Sequence, residues 1–355
     1  MIDERIHVDR PIYRALWVIA LLILAPVAPV LAQSDESEPA AKELITPATD
    51  RSIERGLRWL ANSQHEDGSF GAGAYRGNVA VTALAGMALM CQGSTPDRGE
   101  YGGGISRALA YLLSKCESSG YIIDRPSAGH GPMYGHGFAT MFLAECYGMS
   151  PRDDLREKLN AAVRLIVQSQ NRAGGWRYQP RPVEADISVT VCQMMALRAA
   201  RNAGLYVPPE TVERCVGYVR ACQNDDGGFM YMLENPGDSA FPRSAAALVG
   251  LSSAGIYKGE AIDRGIQYVL EFTPTRGAMR RENYFFYGHY YAVQAMWQRG
   301  GEPWYRWYPA IRDHLLRRQE DDGSWNSTTV DRPYGTSMAL IVLQIPNNYL
   351  PIFER

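Results

Sequence analysis

Two kinds of apolar pattern alternate along this chain. The first is amphipathic: Ile53, Leu57 and Leu60 recur at helical spacing with Arg and Glu between them, as do Val163, Ile166 and Val167, and Val212, Val216 and Val219. Such stripes predict helices with one buried face. The second is apolar almost all round, over 78–93, 132–144, 187–197, 244–257, 284–298 and 333–345. A helix without a polar face must be covered on every side. Six half-buried helices alternating with six fully buried ones predict an all-α fold, a single α/α toroid (barrel) of six helical hairpins. An open solenoid is the competing architecture, but it needs polar caps on its end repeats. The last inner segment is as apolar as the others, which favours closure.

The joints between the two kinds of helix repeat. Gln64 to Phe70, Gln170 to Trp176, Gln223 to Phe229 and Gln319 to Trp325 each carry a Gly four residues after the Gln and an aromatic six residues after it. The Gln positions are 106, 53 and 96 residues apart, or two, one and two periods of about fifty. The two missing copies fall at 105–120 and 262–277, where Ile262-Asp263-Arg264-Gly265-Ile266 echoes Ile53-Glu54-Arg55-Gly56-Leu57. The Gly supplies a positive φ for the turn. The Gln is expected to bond the turn's backbone, and the aromatic to wedge against the next repeat.

Composition narrows the field further. Lys plus Arg number 36 against 38 Asp plus Glu, a formal charge of −2, so a nucleic-acid partner is not expected. At 46% hydrophobic, the chain has enough apolar surface for a packed core. At the N-terminus, Arg5, Arg10 and Arg14 precede an uncharged run from Ala15 to Ala32 that ends in Val30-Leu31-Ala32. This reads as a signal peptide over 1–32, hence an exported, periplasmic or extracytoplasmic protein. The alternative is an uncleaved membrane anchor. An acidic linker over 33–50, the toroid over 51–345 and a tail over 346–355 complete the expected organisation.

The glutamine–aromatic repeat is similar to that of squalene and oxidosqualene cyclases and of the β subunits of protein prenyltransferases. The chain resembles an exported bacterial member of this terpenoid cyclase and prenyltransferase superfamily, with a prenyltransferase and squalene-oxidase repeat. Aligning the inner helices on Thr82, Thr140 and Thr190 puts Asn78, His136 and Asp186 in one slot, with Arg243, His289 and Thr336 as the later counterparts. The resemblance implies that Glu184 and Asp186 match the first and middle acids of the class II cyclase D-x-D-D-T motif, with Ile187 in place of the last Asp. Asp186 would then be a general acid that protonates an isoprenoid, supported by Glu184 and flanked by His136. Tyr134, Phe138, Phe241, Arg243, Tyr287, His289, Tyr290 and Tyr334 would line the substrate cavity, their rings stabilising a cation. The opposing reading is that Asp186 merely caps its helix. The prenyltransferase zinc needs an Asp-x-Cys pair, and Asp238-Ser239-Ala240 lacks the thiolate, so neither a metal nor another cofactor is expected. The expected partner is an isoprenoid or other apolar ligand in the central cavity, with peripheral membrane association as a further expectation. A non-catalytic lipid- or protein-binding toroid is the alternative function.

Overall fold

In the computed structural model, residues 41–129, 131–275 and 284–354 are described. The signal-peptide run lies outside them, as does the first part of the linker. Twelve helices are described: α1 (Pro47–Asn62), α2 (Val79–Met90), α3 (Gly102–Ser114), α4 (Pro132–Cys146), α5 (Asp154–Ser169), α6 (Ile187–Asn202), α7 (Pro209–Ala221), α8 (Phe241–Ser253), α9 (Glu260–Leu270), α10 (Phe285–Arg299), α11 (Gly301–Arg318) and α12 (Arg332–Gln344). Helix α1 starts four residues before the expected body. The Thr46 and Thr49 hydroxyls form a reciprocal capping box there, and Pro47 occupies the first turn, where its missing N–H costs nothing. Among the described residues no helix is long and apolar enough to cross a membrane.

The even-numbered helices form the inner ring. Each packs on its neighbour, α2 on α4, then α6, α8, α10 and α12, and α12 returns to α2. The odd-numbered helices lie outside, each against its own hairpin partner. The expected toroid of six hairpins is therefore the observed fold, and it is closed rather than open. Where inner helices cross closely, Gly takes the contact: a Cβ on Gly86 would stand 2.4 Å from the Phe142 ring.

One joint is used four times. Gln64 Nε2 donates to the carbonyls of Gly68 (3.0 Å) and Gly104 (2.8 Å), the second at the start of the next outer helix. Gln170 repeats this on Gly174 and Thr211, Gln223 on Gly227 and Ala261, and Gln319 on Gly323 and Ser52. The last of these joins the sixth repeat to the first. The turn glycines must be glycines: Gly174 has φ +100°, and a Cβ there would meet the Arg214 carbonyl at 2.1 Å. In the second repeat Cys116 and Ile122 pair as Gln223 and Phe229 do, so they stand in the Gln and aromatic places.

The aromatic N–H of each joint is held by the following inner helix. Phe70 donates to Thr82, Trp176 to Thr190, Phe229 to Ser244 and Trp325 to Thr336, at 2.8–3.0 Å. In the second repeat Ile122 N–H donates to His136 Nδ1 at 3.2 Å. His136 is thus the counterpart of Thr82 and Thr190, one turn away from the slot expected for it. Thr140 has no such role. The sequence alignment slipped by one helical turn because the second repeat uses an imidazole where the others use a hydroxyl.

Candidate functional site at the mouth of the barrel

The N-terminal ends of the inner helices surround a mouth, and the segment after Trp176 builds its polar centre. Trp176 and Asp186 pair through the Asp186 N–H and the Trp176 carbonyl (2.9 Å), so the loop between them returns onto the start of α6. Asp186 has extended backbone angles and is the N-cap: its Oδ1 accepts the Val189 N–H at 2.9 Å. Its Oδ2 lies 3.1 Å from Arg177 Nη1. The carboxylate is fully buried, while Glu184, 3.3 Å from Arg177 Nε, has 63% of its side chain exposed at the rim.

Arg177 sits over the rings of Tyr178 (4.5 Å) and Tyr231 (5.5 Å) and also bonds the Tyr231 hydroxyl at 3.2 Å. The two tyrosine hydroxyls are 2.6 Å apart. Arg243 lies 6.0 Å from the Tyr231 ring and is anchored to the carbonyls of Phe229 and Asp238. The Tyr134 ring is 6.3 Å from that of Tyr178. Burial raises the phenol pKa values of Tyr134, Tyr231 and Tyr287, and the charge of Asp186 adds to the rise in each.

Burial pushes Asp186 up, and the Val189 N–H and Arg177 pull it back, leaving it at about 6 against an ordinary 3.8. Replacing Arg177 by Met is expected to move the Asp186 titration upward, because desolvation then acts with less opposition. A carboxyl-carbon NMR titration of both forms measures it, and an unmoved midpoint would show that Arg177 does not set this acidity.

From the mouth, aromatic rings continue inward. Tyr287 contacts Tyr291 (4.8 Å), Tyr291 contacts Tyr290 (4.9 Å), and Tyr290 meets Phe138 (6.1 Å) and Phe353 (6.3 Å). Tyr290 and Tyr291 are fully buried. The Tyr291 hydroxyl has no hydrogen-bond partner among the described residues. Tyr334 caps the same region: its N–H donates to Asp331, the N-cap of α12, which also accepts the Ala72 N–H from the first repeat. Asn78 likewise proves to be a helix cap, accepting from Ala80 and Val81.

Three of the expected site residues lie elsewhere. His136 spends both ring nitrogens on backbone, with Nε2 3.2 Å from the Ala162 carbonyl, and burial lowers its pKa to about 4. It is a neutral staple between repeats and bonds no part of Asp186. Phe241 and His289 stack with Phe272, Phe285 and Trp307 in the packing between α8, α10 and the outer helices. Arg177, Tyr178 and Tyr231, by contrast, were missed. They immediately follow the motif aromatics in Trp176-Arg177-Tyr178 and Phe229-Met230-Tyr231, so the register that found the joints could have found them. Among the described residues, no group of three or more His, Cys, Asp or Glu gathers as metal ligands.

Comparison with known proteins supports the resemblance. Residues 139–299 match the squalene-hopene cyclase C-terminal domain family. The chain is 25% identical over 178 residues to the squalene–hopene cyclase of Zymomonas mobilis, across 46% of this chain and 26% of that protein. It is 24% identical over 249 residues to drimenyl diphosphate synthase of Streptomyces showdoensis, across 68% and 42% of the two chains. It therefore matches well under two thirds of the length of these relatives. The solved type II terpene cyclase MstE from Scytonema, in complex with geranylgeranyl dihydroxybenzoate, has a TM-score of 0.60 at 15% identity, covering 85% of this chain and 98% of that one. An α-1,6-mannanase of Salegentibacter also reaches a TM-score of 0.60, at 8% identity, with 85% and 99% covered. At such identities the likeness is one of fold, and this fold serves unrelated chemistries.

Proposed function

Taking the squalene-hopene cyclase type of toroid as the frame, we propose that this protein binds an isoprenoid amphiphile at the mouth, as a class II terpene cyclase-like toroid. One arrangement carries the proposal: a buried carboxylate and two arginines stacked on tyrosine at the entrance, continuous with a column of aromatic rings along the barrel. A polyene chain is apolar along its length and packs on aromatic faces. A polar head group is accommodated by Arg177, Arg243 and the tyrosine hydroxyls. That MstE was solved with a geranylgeranyl compound supports an apolar ligand of this class. Export through the N-terminal segment belongs to the same proposal, and N-terminal sequencing of the mature protein tests it. Peripheral association with a membrane, where such ligands reside, is a further part of it.

Proton transfer from Asp186 is the second reading, and the raised pKa of about 6 is the observation in its favour. Alkene protonation needs the carboxylic acid form. The Val189 N–H and Arg177 both favour the anion, so at neutral pH the group is mainly a cap and an ion-pair partner. Any turnover should therefore appear below pH 6 and fade above it.

The test uses the full chain with geranylgeranyl and squalene-type compounds at pH 5 and pH 7.5. Native mass spectrometry reads binding, and gas chromatography reads product. Binding that weakens at least tenfold in Arg177→Met supports the mouth as the site. Product at pH 5 that is lost in Asp186→Asn supports protonation. Failure to bind any of the compounds at either pH sinks both readings.

A further inference from the structure

At the end opposite the mouth, the chain crosses its own barrel. At the last residue of α12, Gln344 Nε2 donates to the Ala88 carbonyl of α2 (3.1 Å), and beyond it Asn347 Nδ2 donates to that of Cys91 (3.2 Å). Asn202 at the end of α6 donates to the Pro351 carbonyl (3.4 Å). Trp297 Nε1 and Gln298 Nε2 of α10 donate to the carbonyls of Phe353 (3.0 Å) and Glu354 (2.6 Å). Helices α2, α6 and α10 are alternate members of the inner ring, so a strap that touches all three lies over the axis. Leu350, Ile352 and Phe353 are buried beneath it, and Phe353 ends the aromatic column at Tyr290.

Glu145, next to last in α4, faces this strap with only 4% of its surface exposed. The Ile352 N–H bonds its carboxylate, and its Oε2 has no partner among the described residues. The groups around it offer no compensation. Cys91 of α2 and Cys146 beside it on α4 are thiols whose pKa values burial raises, an effect that the Glu145 charge increases. Among the described residues, the charged side chain whose field reaches it is Glu354 of the strap, which is also an anion.

We propose that Tyr349–Glu354 is a releasable plug over the C-terminal end of the barrel axis, and that ionisation of Glu145 releases it. Burial pushes the Glu145 carboxyl up, the Ile352 N–H draws it partly back and Glu354 pushes it further, to about 8 against an ordinary 4.5. With the plug seated the group is therefore neutral at pH 7. Once the strap lifts and water enters, the group returns towards its ordinary acidity. The plug is held most firmly below pH 4.5, and its hold weakens as pH rises, until Glu145 is ionised in both states above about 8. Over that window the ratio of open to seated strap can rise by up to about a thousandfold. Release uncovers Tyr290 from the side opposite the mouth. That release admits a ligand rests on the function proposed above; the pH response does not.

Hydrogen exchange of the 345–354 peptides, corrected for the intrinsic pH dependence, together with Trp297 fluorescence, reads the plug without any ligand. In the native protein, protection should fall progressively between about pH 4.5 and 8 and level off above that. Glu145→Gln should keep the strap protected throughout. Glu354→Gln, which removes the neighbouring anion, should end the fall at lower pH and make it smaller, and keeps the test available if Glu145→Gln folds poorly. Protection independent of pH in the native protein, or an unchanged profile in these variants, overturns the proposal. Loss of ligand binding with an intact pH response would count against the proposed function alone.

Discussion

Trp325→Ala is expected to cost about 3–5 kcal/mol of stability. Trp325 is fully buried at the seam where the sixth repeat meets the first. Its Nε1 donates to the Leu315 carbonyl at 2.9 Å, and its main-chain N–H donates to Thr336. The indole lies directly above Gly56 of α1, where a Cβ would come within 2.7 Å of the ring, and beside Leu340. Truncation opens a cavity, strands a carbonyl and loosens the closure together. Phe occupies the equivalent joints at positions 70 and 229, so Trp325→Phe should recover most of the loss. Urea unfolding of the three forms measures this. A cost below about 1 kcal/mol for Trp325→Ala would mean that the seam is held by other contacts.

Raising the pH from 4 to 7 should reduce stability by roughly 2 kcal/mol through Asp186 alone. In the unfolded chain this group ionises near 3.8, and in the folded protein near 6. Across that window the folded state holds the proton more tightly. The stabilisation is complete below 3.8, declines as pH rises and is gone above 6. Asp186→Asn keeps a competent cap for Val189 and removes the titration, so its stability should run flatter over the same range. Glu145 contributes a slope of the same sign that continues to about 8, so the variant's curve is compared with the wild type rather than with zero. Parallel curves would mean that Asp186 titrates as an ordinary surface acid.

The helical architecture could be read from the sequence because its cause is local. An inner segment such as Val79–Met90 has no polar face, so it must be enclosed, and a repeating Gln–Gly–aromatic joint sets the period. The closing contact could be anticipated for the same reason, since Gln319 finds in Ser52 the partner that the other glutamines find in the next outer helix. The mouth was harder to read. Asp186 stood out by its position and its role as a helix cap was among the readings, yet its pairing with Arg177 and its complete burial depend on a returning loop that no periodicity describes. His136 was misplaced because a side chain that bonds a backbone N–H can be an imidazole or a hydroxyl, and matching Thr140 to the other threonines by residue type pushed His136 one turn early. Phe241 and His289 are aromatic and lie near helix starts, but which way a ring on an inner helix turns depends on the outer helix packed behind it.

The bond from Gln319 to Ser52 spans 267 residues of sequence. A linear array of repeats can gain stability one unit at a time as it is made. This chain cannot complete its ring until its final hairpin exists, so its first repeat waits with one flank bare while the other five are synthesised. The described ends finish close together, with Lys42 5.5 Å from the Tyr349 ring. A short peptide could join them and the chain could be cut at another turn, since a circle assigns no repeat the role of beginning. What the order of repeats does decide is how long that flank stays uncovered, and so how much the nascent chain depends on being shielded until it closes.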